Sequence, residues 1–81
     1  MVSKCKKFNV GIGIKIVRIK KGLKQYEMAG QLGISQNYLS LLENNKASPS
    51  LELLSRIACE YNIPIGELFV EVDNEIRPDV W

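Results

Sequence analysis

The sequence predicts an all-α fold, a compact five-helix bundle, from three observations. Between Gly22 and Asn45, small or apolar residues fall at Leu23, Met28, Ala29, Leu32, Ile34, Leu39 and Leu42, which puts one buried face on each of two short helices. Gly33 follows Leu32, where a helix commonly ends with φ > 0, a conformation glycine enters without steric cost. Ser35 then stands where its hydroxyl can accept a bond from the first free amides of the next helix. Two helices joined by so tight a break form a helix-turn-helix unit.

The remaining elements follow in order. A first helix is expected from about Val10 to Lys21, ended by Gly22, and the paired helices cover Gln25 to Leu32 and Gln36 to Glu43. A polar loop runs from Asn44 to Pro49, and Ser50 caps a fourth helix from Leu51 to Tyr61. Asn62 ends it, and Pro64 suits the first turn of a fifth helix reaching Phe69. Residues 10–69 therefore make the domain, preceded by a basic arm over 1–9 and followed by an acidic tail over 70–81 that shows no clear period. The core is expected to take Val10, Ile14 and Val17 from the first helix and the apolar positions of the pair. From the last two helices it takes Leu51, Leu54, Ile57, Ala58, Tyr61, Ile63, Leu68 and Phe69. The first helix carries a second apolar stripe, Ile12, Ile16 and Ile19, which needs cover. The tail, through Val72, Ile76, Val80 and Trp81, is favoured slightly over a partner protein.

Eighty-one residues suffice for one small core and not for a catalytic domain with a deep cleft. No apolar run approaches the roughly 20 residues that span a bilayer. The lysine-rich start lacks the apolar region of a secretory signal, so a cytoplasmic location is expected. There is no histidine, and two cysteines, Cys5 and Cys59, are too few for a zinc site; reduced thiols are expected, with Cys59 facing outward. No paired carboxylates, phosphate-cradling glycine loop or activated nucleophile points to an enzyme or to a cofactor. The formal charge of +2 hides an asymmetry: residues 1–46 carry nine basic side chains against two acidic, residues 47–81 two against seven. A basic front holding the helix-turn-helix and an acidic back suit a polyanionic partner, although charged faces are most often simply solvated.

The chain resembles the Cro and phage-repressor type of helix-turn-helix domain, also called XRE-like. Over roughly residues 10 to 69 the resemblance rests on Arg18, Gly22-Leu23, Gln25, Ala29, Leu32-Gly33-Ile34-Ser35, Tyr38-Leu39, Glu43, Pro49-Ser50-Leu51 and Glu67-Leu68-Phe69. It implies a lambda-repressor-like bundle that binds double-stranded DNA, usually as a two-fold dimer. It also implies that Gln25 braces the first residue of the recognition helix and touches a phosphate, and that Arg18 and Glu43 form a structural ion pair. Two positions depart from the pattern. Lys24 stands where a Ser or Thr cap is usual, and Asn45 replaces the glycine commonly found after the recognition helix, Asn being next best at φ > 0.

With Leu39 and Leu42 pointing inward, the 100° step per residue turns Asn37, Ser40, Leu41 and Asn44 outward, with Gln36 in the first turn, the end that enters the groove in such a unit. Amide side chains offer a donor and an acceptor and can pair with adenine, while Leu41 suits a thymine methyl. Asn44 and Lys46 would reach the DNA backbone, and Lys4, Lys6 and Lys7 could steer it. A plain polar helix surface is the alternative for Gln36, Asn37 and Ser40, disfavoured by the surrounding motif. Tyr38 is expected to pack. The dimer surface is expected at Ile63, Ile65, Leu68 and Phe69. The expected function is a sequence-specific transcriptional regulator, a repressor on a short palindromic operator bound as a homodimer. The alternatives are a protein-interaction module such as the antitoxin of a toxin–antitoxin pair, using the Ile12, Ile16 and Ile19 face, or a restriction–modification controller protein.

Overall fold

The computed structural model describes residues 7–72. A short strand β1 (Lys7–Asn9) leads into α1 (Val10–Lys20), α2 (Gln25–Leu32), α3 (Gln36–Glu43) and α4 (Leu51–Glu60). A single 3-10 turn (Ile65–Leu68) and strand β2 (Val70–Val72) follow. The roles expected of Lys4, Lys6, Cys5, Ile76, Val80 and Trp81 lie outside the described residues.

Among the described residues four α-helices stand where five were expected. The segment after Pro64 spans only four residues, includes Gly66 and closes with i→i+3 bonds, Glu67 N to Pro64 O at 3.0 Å and Phe69 N to Gly66 O at 3.1 Å. So short a run, started by a proline and diluted by a glycine, gains too few bonds to become an α-helix. The second difference lies at the ends. Residues assigned to the arm and tail pair as an antiparallel ribbon, with Lys7 opposite Val72, Phe8 opposite Glu71 and Asn9 opposite Val70. Strands of three residues are too short to announce themselves by alternation. Phe8 meets Phe69 edge to face across the ribbon, ring centroids 6.1 Å apart.

The core is Ile14 and Val17 of α1, Met28, Ala29 and Leu32 of α2, Leu39 and Leu42 of α3, Leu53, Leu54, Ile57 and Tyr61 from α4 and its end, and Leu68. Leu51 and Phe69, expected inside, are 70% and 36% exposed. Leu51 sits in the first turn of α4, about 100° around the helix from the stripe that Leu53, Leu54 and Ile57 press inward. Leu53, missed in the sequence, takes its place. Tyr61 donates its hydroxyl to Gln31 Oε1 at 2.7 Å, and the Arg56 guanidinium donates to Leu32 O, so α4 and the residue that ends it hold the C-terminal end of α2 through two bonds. Burial, helped by the neighbouring Glu60 carboxylate, pushes the Tyr61 phenol above its usual range.

Two glycines let α1 approach its neighbours at backbone distance. A Cβ on Gly13 would stand 2.0 Å from Leu68 O, and one on Gly11 2.5 Å from Leu42 O. Both obstacles are main chain and cannot rotate away. The opposite face of α1 stays partly bare: β2 packs along this helix, yet Ile16 and Ile19 remain 37% and 59% exposed, with Ile12 half-buried.

One polar cluster is buried inside this frame. Arg18 Nε donates to Glu43 Oε2 at 2.7 Å and Nη2 to Glu43 Oε1 at 3.2 Å, while Nη1 donates to Leu23 O at 2.9 Å. The Glu43 side chain is only 2% exposed and that of Arg18 14%. The last residue of α3 is thereby tied to α1 and to the loop before α2.

Two sets of substitutions test this architecture. Arg18→Met leaves a buried carboxylate short of its cation and should destabilise the fold by about 3–5 kcal/mol, read from denaturant unfolding without DNA. Glu43→Ala should do likewise; wild-type stability in both would mean that the pair is only a surface contact. Gly13→Ala should cost about 1–3 kcal/mol or more through overpacking against Leu68 O. Gly30→Ala, on α2 with nothing within 4 Å of its Cβ position, should instead stabilise by about 0.5–1 kcal/mol. If the two alanine variants shifted the melting temperature in the same direction, the close approach of α1 to Leu68 would be refuted.

Candidate nucleic-acid interface

The helix pair is built by its two ends and its turn. At the start of α2 no side chain of Lys24 caps the helix; instead Glu27 Oε1 accepts from Lys24 N at 2.8 Å, half of a capping box without its hydroxyl. Gly33 adopts φ 73°, and Ile34 N returns to Ala29 O at 3.0 Å, closing α2. Ser35 Oγ accepts from Tyr38 N at 3.0 Å and starts α3, as its cap position led one to expect. Buried Leu39 and Leu42 press α3 on the core, and half-buried Tyr38 packs against the same cluster.

This geometry decides what α3 presents. Gln36 and Asn37 are exposed in its first turn, and Leu41 is 37% exposed on the outward side. Neither amide has a hydrogen-bond partner among the described residues, so both keep their donors and acceptors available for an outside ligand. Ser40 is half-buried. Asn44 is exposed but engaged, its Nδ2 donating to Ser40 O at 2.9 Å, so its amide seals the C-terminal end of α3 and keeps less to offer. Lys46 is exposed in the loop beyond.

Gln25 behaves differently from the expectation attached to it. Its Nε2 donates to Glu43 Oε1 at 2.9 Å, bracing the end of α3 rather than Gln36 at its start. A carboxylate only accepts, so the amide turns its nitrogen toward Glu43, which takes one of its two N–H groups. Glu43 thus receives donors from α1 and α2 at once.

The residues expected at a dimer surface separate. Leu68 is fully buried within the protomer, packed where α1 carries Gly13, and has no surface to give a second copy. Ile63 and Ile65 are half-buried against the core, and Phe69 remains exposed beside the still more exposed Phe8. Two residues of the site were not anticipated together. Asn9 and Asn45 bond to each other and to the first turn of α1. The left-handed preference of Asn45 was legible, its partner 36 positions away was not. Cys59 is exposed, as expected. Among the described residues no cluster of acidic or sulfur side chains is grouped to hold a metal ion, and no helix is long and apolar enough to cross a membrane.

Comparison with known proteins places this arrangement. The helix-turn-helix family model matches residues 14–68. A 10 kDa protein of the ImmF control region of Bacillus phage phi105 is 48% identical over 59 residues, 73% of this chain and 66% of that protein, so the chain spans just under two thirds of that relative. The restriction-modification controller protein C.AhdI from Aeromonas hydrophila has the same fold with a TM-score of 0.69 and 28% identity, over 75% of this chain and 92% of that one. SinR, a master regulator for biofilm formation solved in complex with DNA, gives a TM-score of 0.66 at 30% identity, over 73% of this chain and 95% of that one. The chain belongs to the helix-turn-helix family of the Cro and phage-repressor, XRE-like type.

Proposed function

We propose that this protein is a sequence-specific DNA-binding transcriptional regulator, a binding protein rather than an enzyme, which represses by occupying a short palindromic operator as a homodimer. The observation that carries the reading is the pairing of a buried brace with a free face. The Arg18–Glu43–Gln25 cluster fixes the C-terminal end of α3, while Gln36 and Asn37 in its first turn, with Leu41, stand exposed without side-chain hydrogen bonds of their own. The DNA-bound state of a neighbour 30% identical to this chain, and the control-region origin of the phage relative, support it.

Gln36 and Asn37 serve base edges by donating and accepting through one amide, and Leu41 covers a thymine methyl. Ser40 adds a shorter polar contact between them. Lys46, with Asn44 beside it, holds the phosphate backbone, and Gln25 adds a phosphate contact through the N–H that Glu43 leaves unused. One helix of eight residues reads only a few base pairs; two related by a dyad, about 34 Å apart, read successive major-groove faces. Phe69 with Ile63 and Ile65 supplies the apolar contact between copies. A second reading, a protein-binding module such as an antitoxin, rests on the exposed Ile16 and Ile19 with Ile12, a stripe that a partner chain would cover, while a restriction–modification controller protein would share the DNA-binding chemistry of the first reading.

Selection from a random DNA pool yields the operator, and mutants then test the roles. Affinity should fall steeply with salt, as counterions are released from the phosphates; affinity independent of salt would overturn the reading. Gln36→Ala should flatten preference at one symmetric pair of positions, at a cost of about 1–3 kcal/mol, and leave random-DNA affinity nearly intact. Lys46→Ala should weaken both and reduce the salt slope by about one. If a well-folded Gln36→Ala lost operator and random affinity equally, α3 would not be the reading helix.

A further inference from the structure

The loop leaving α3 is fastened to the first helix through one side chain. Asn45 adopts φ 59°, and around it the backbone closes the helix end, Asn45 N donating to Leu42 O at 3.1 Å and Lys46 N to Leu41 O at 2.8 Å. The side chain reaches away from α3. Its Oδ1 accepts from Gly11 N at 3.2 Å and its Nδ2 donates to Asn9 Oδ1 at 2.7 Å. Asn9 Oδ1 also accepts from Ile12 N at 2.9 Å as the cap of α1.

The two asparagines therefore satisfy one orphan amide each at the start of α1 and are bonded to one another. The set is directional. Asn9 Oδ1 faces two donors, so position 45 must present an N–H to it and an acceptor to Gly11 N, and the two atoms of one primary amide meet both demands. A glycine there would make the same turn but neither bond. A Cβ on Gly11 would lie 2.7 Å from Asn45 Oδ1, so the contact also needs the glycine opposite.

From this geometry we propose that Asn45 is a positioning residue for DNA recognition, a latch that holds Lys46 and the exit of α3 in register with α1. The proposal rests on the DNA-binding reading above. The buried ion pair fixes α3 as far as Glu43, but Lys46 lies three residues further on, and the side-chain anchor between them that reaches another helix is that of Asn45. With the latch open the loop keeps its turn but must be ordered when a phosphate is bound, and that ordering is charged against affinity.

The test is a double-mutant cycle in the full chain, on the selected operator, with Asn45→Gly and Lys46→Ala alone and together. Glycine tolerates φ 59°, so Asn45→Gly should keep its helical signal and stay folded at the assay temperature. It should lower operator affinity about three- to tenfold, the loss expected from freeing one ordered contact. In the Lys46→Ala background the same substitution should cost little or nothing more, because the contact it positions is already gone. Equal losses in both backgrounds, unchanged affinity in Asn45→Gly, or a variant already unfolded at the assay temperature would each overturn the latch and leave a structural role. A wild-type chain that binds no DNA would overturn the DNA-binding reading itself, whereas a binding wild type with an additive cycle would overturn the latch alone.

Discussion

A carboxylate cut off from water must find its hydrogen bonds inside the protein, and Glu43 finds them on two other helices. Arg18 of α1 supplies two donors and Gln25 of α2 a third, all converging on the last residue of α3. An unpaired charge at this depth would cost several kcal/mol, so the three helices are committed to one mutual arrangement. Apolar packing alone tolerates small slides of one helix over another. A bidentate ion pair with a fixed third donor does not, because a shift that breaks any of its bonds strands a buried polar atom. Arg18 adds a further tie through Leu23 O, so the loop ahead of α2 is held by the same guanidinium.

The rest of the fold serves this junction. Gly11 and Gly13 bring α1 within main-chain distance of Leu42 and Leu68, which sets the depth at which Arg18 meets Glu43. Arg56 and Tyr61 hold the C-terminal end of α2 from α4, so Gln25 at its other end has a rigid base. The ribbon closes the remaining side by joining the segment before α1 to the segment after Leu68.

Legibility in the sequence followed the range of the interaction. Helix ends were readable because their signals are local: Gly33 at φ 73°, Ser35 over Tyr38 N and Ser50 over Leu53 N are decided within a few residues. The Arg18–Glu43 pair was readable only through family resemblance, since nothing in the spacing of two residues 25 apart says they meet. The ribbon, the Asn9–Asn45 bond and the redirection of Gln25 to Glu43 depend on where distant segments come to rest, and no periodicity carries that. Leu51 misled because three residues separate it from buried Leu54, whereas the inward stripe runs through Leu53, Leu54 and Ile57, about 100° around the helix from it. Leu68 was assigned both to the core and to a dimer surface, and the close approach of Gly13 decides for the core.

On a helix only eight residues long, Leu39 and Leu42 face the core and Asn37 and Leu41 face outward, while Gln36 and Glu43 lie on nearly one line at its two ends. Leu39, Leu42 and Glu43 spend their side chains on the scaffold, Gln36 and Asn37 make no side-chain hydrogen bond to it among the described residues, and Leu41 is covered only in part. On the DNA-binding reading proposed above, the outward set can vary without touching the interactions that hold the helix, which is what a fold needs if it is to serve many DNA sequences. On that reading the brace at Glu43 would also lend precision to so small a domain. A flexible reading helix would lose part of each base contact to ordering, whereas one held at Glu43 has already met that cost in folding. The residues beyond Glu43 are the place where this rigidity would run out. There the chain turns at Asn45 and binds itself back to Asn9 and Gly11 before it releases into the loop toward α4.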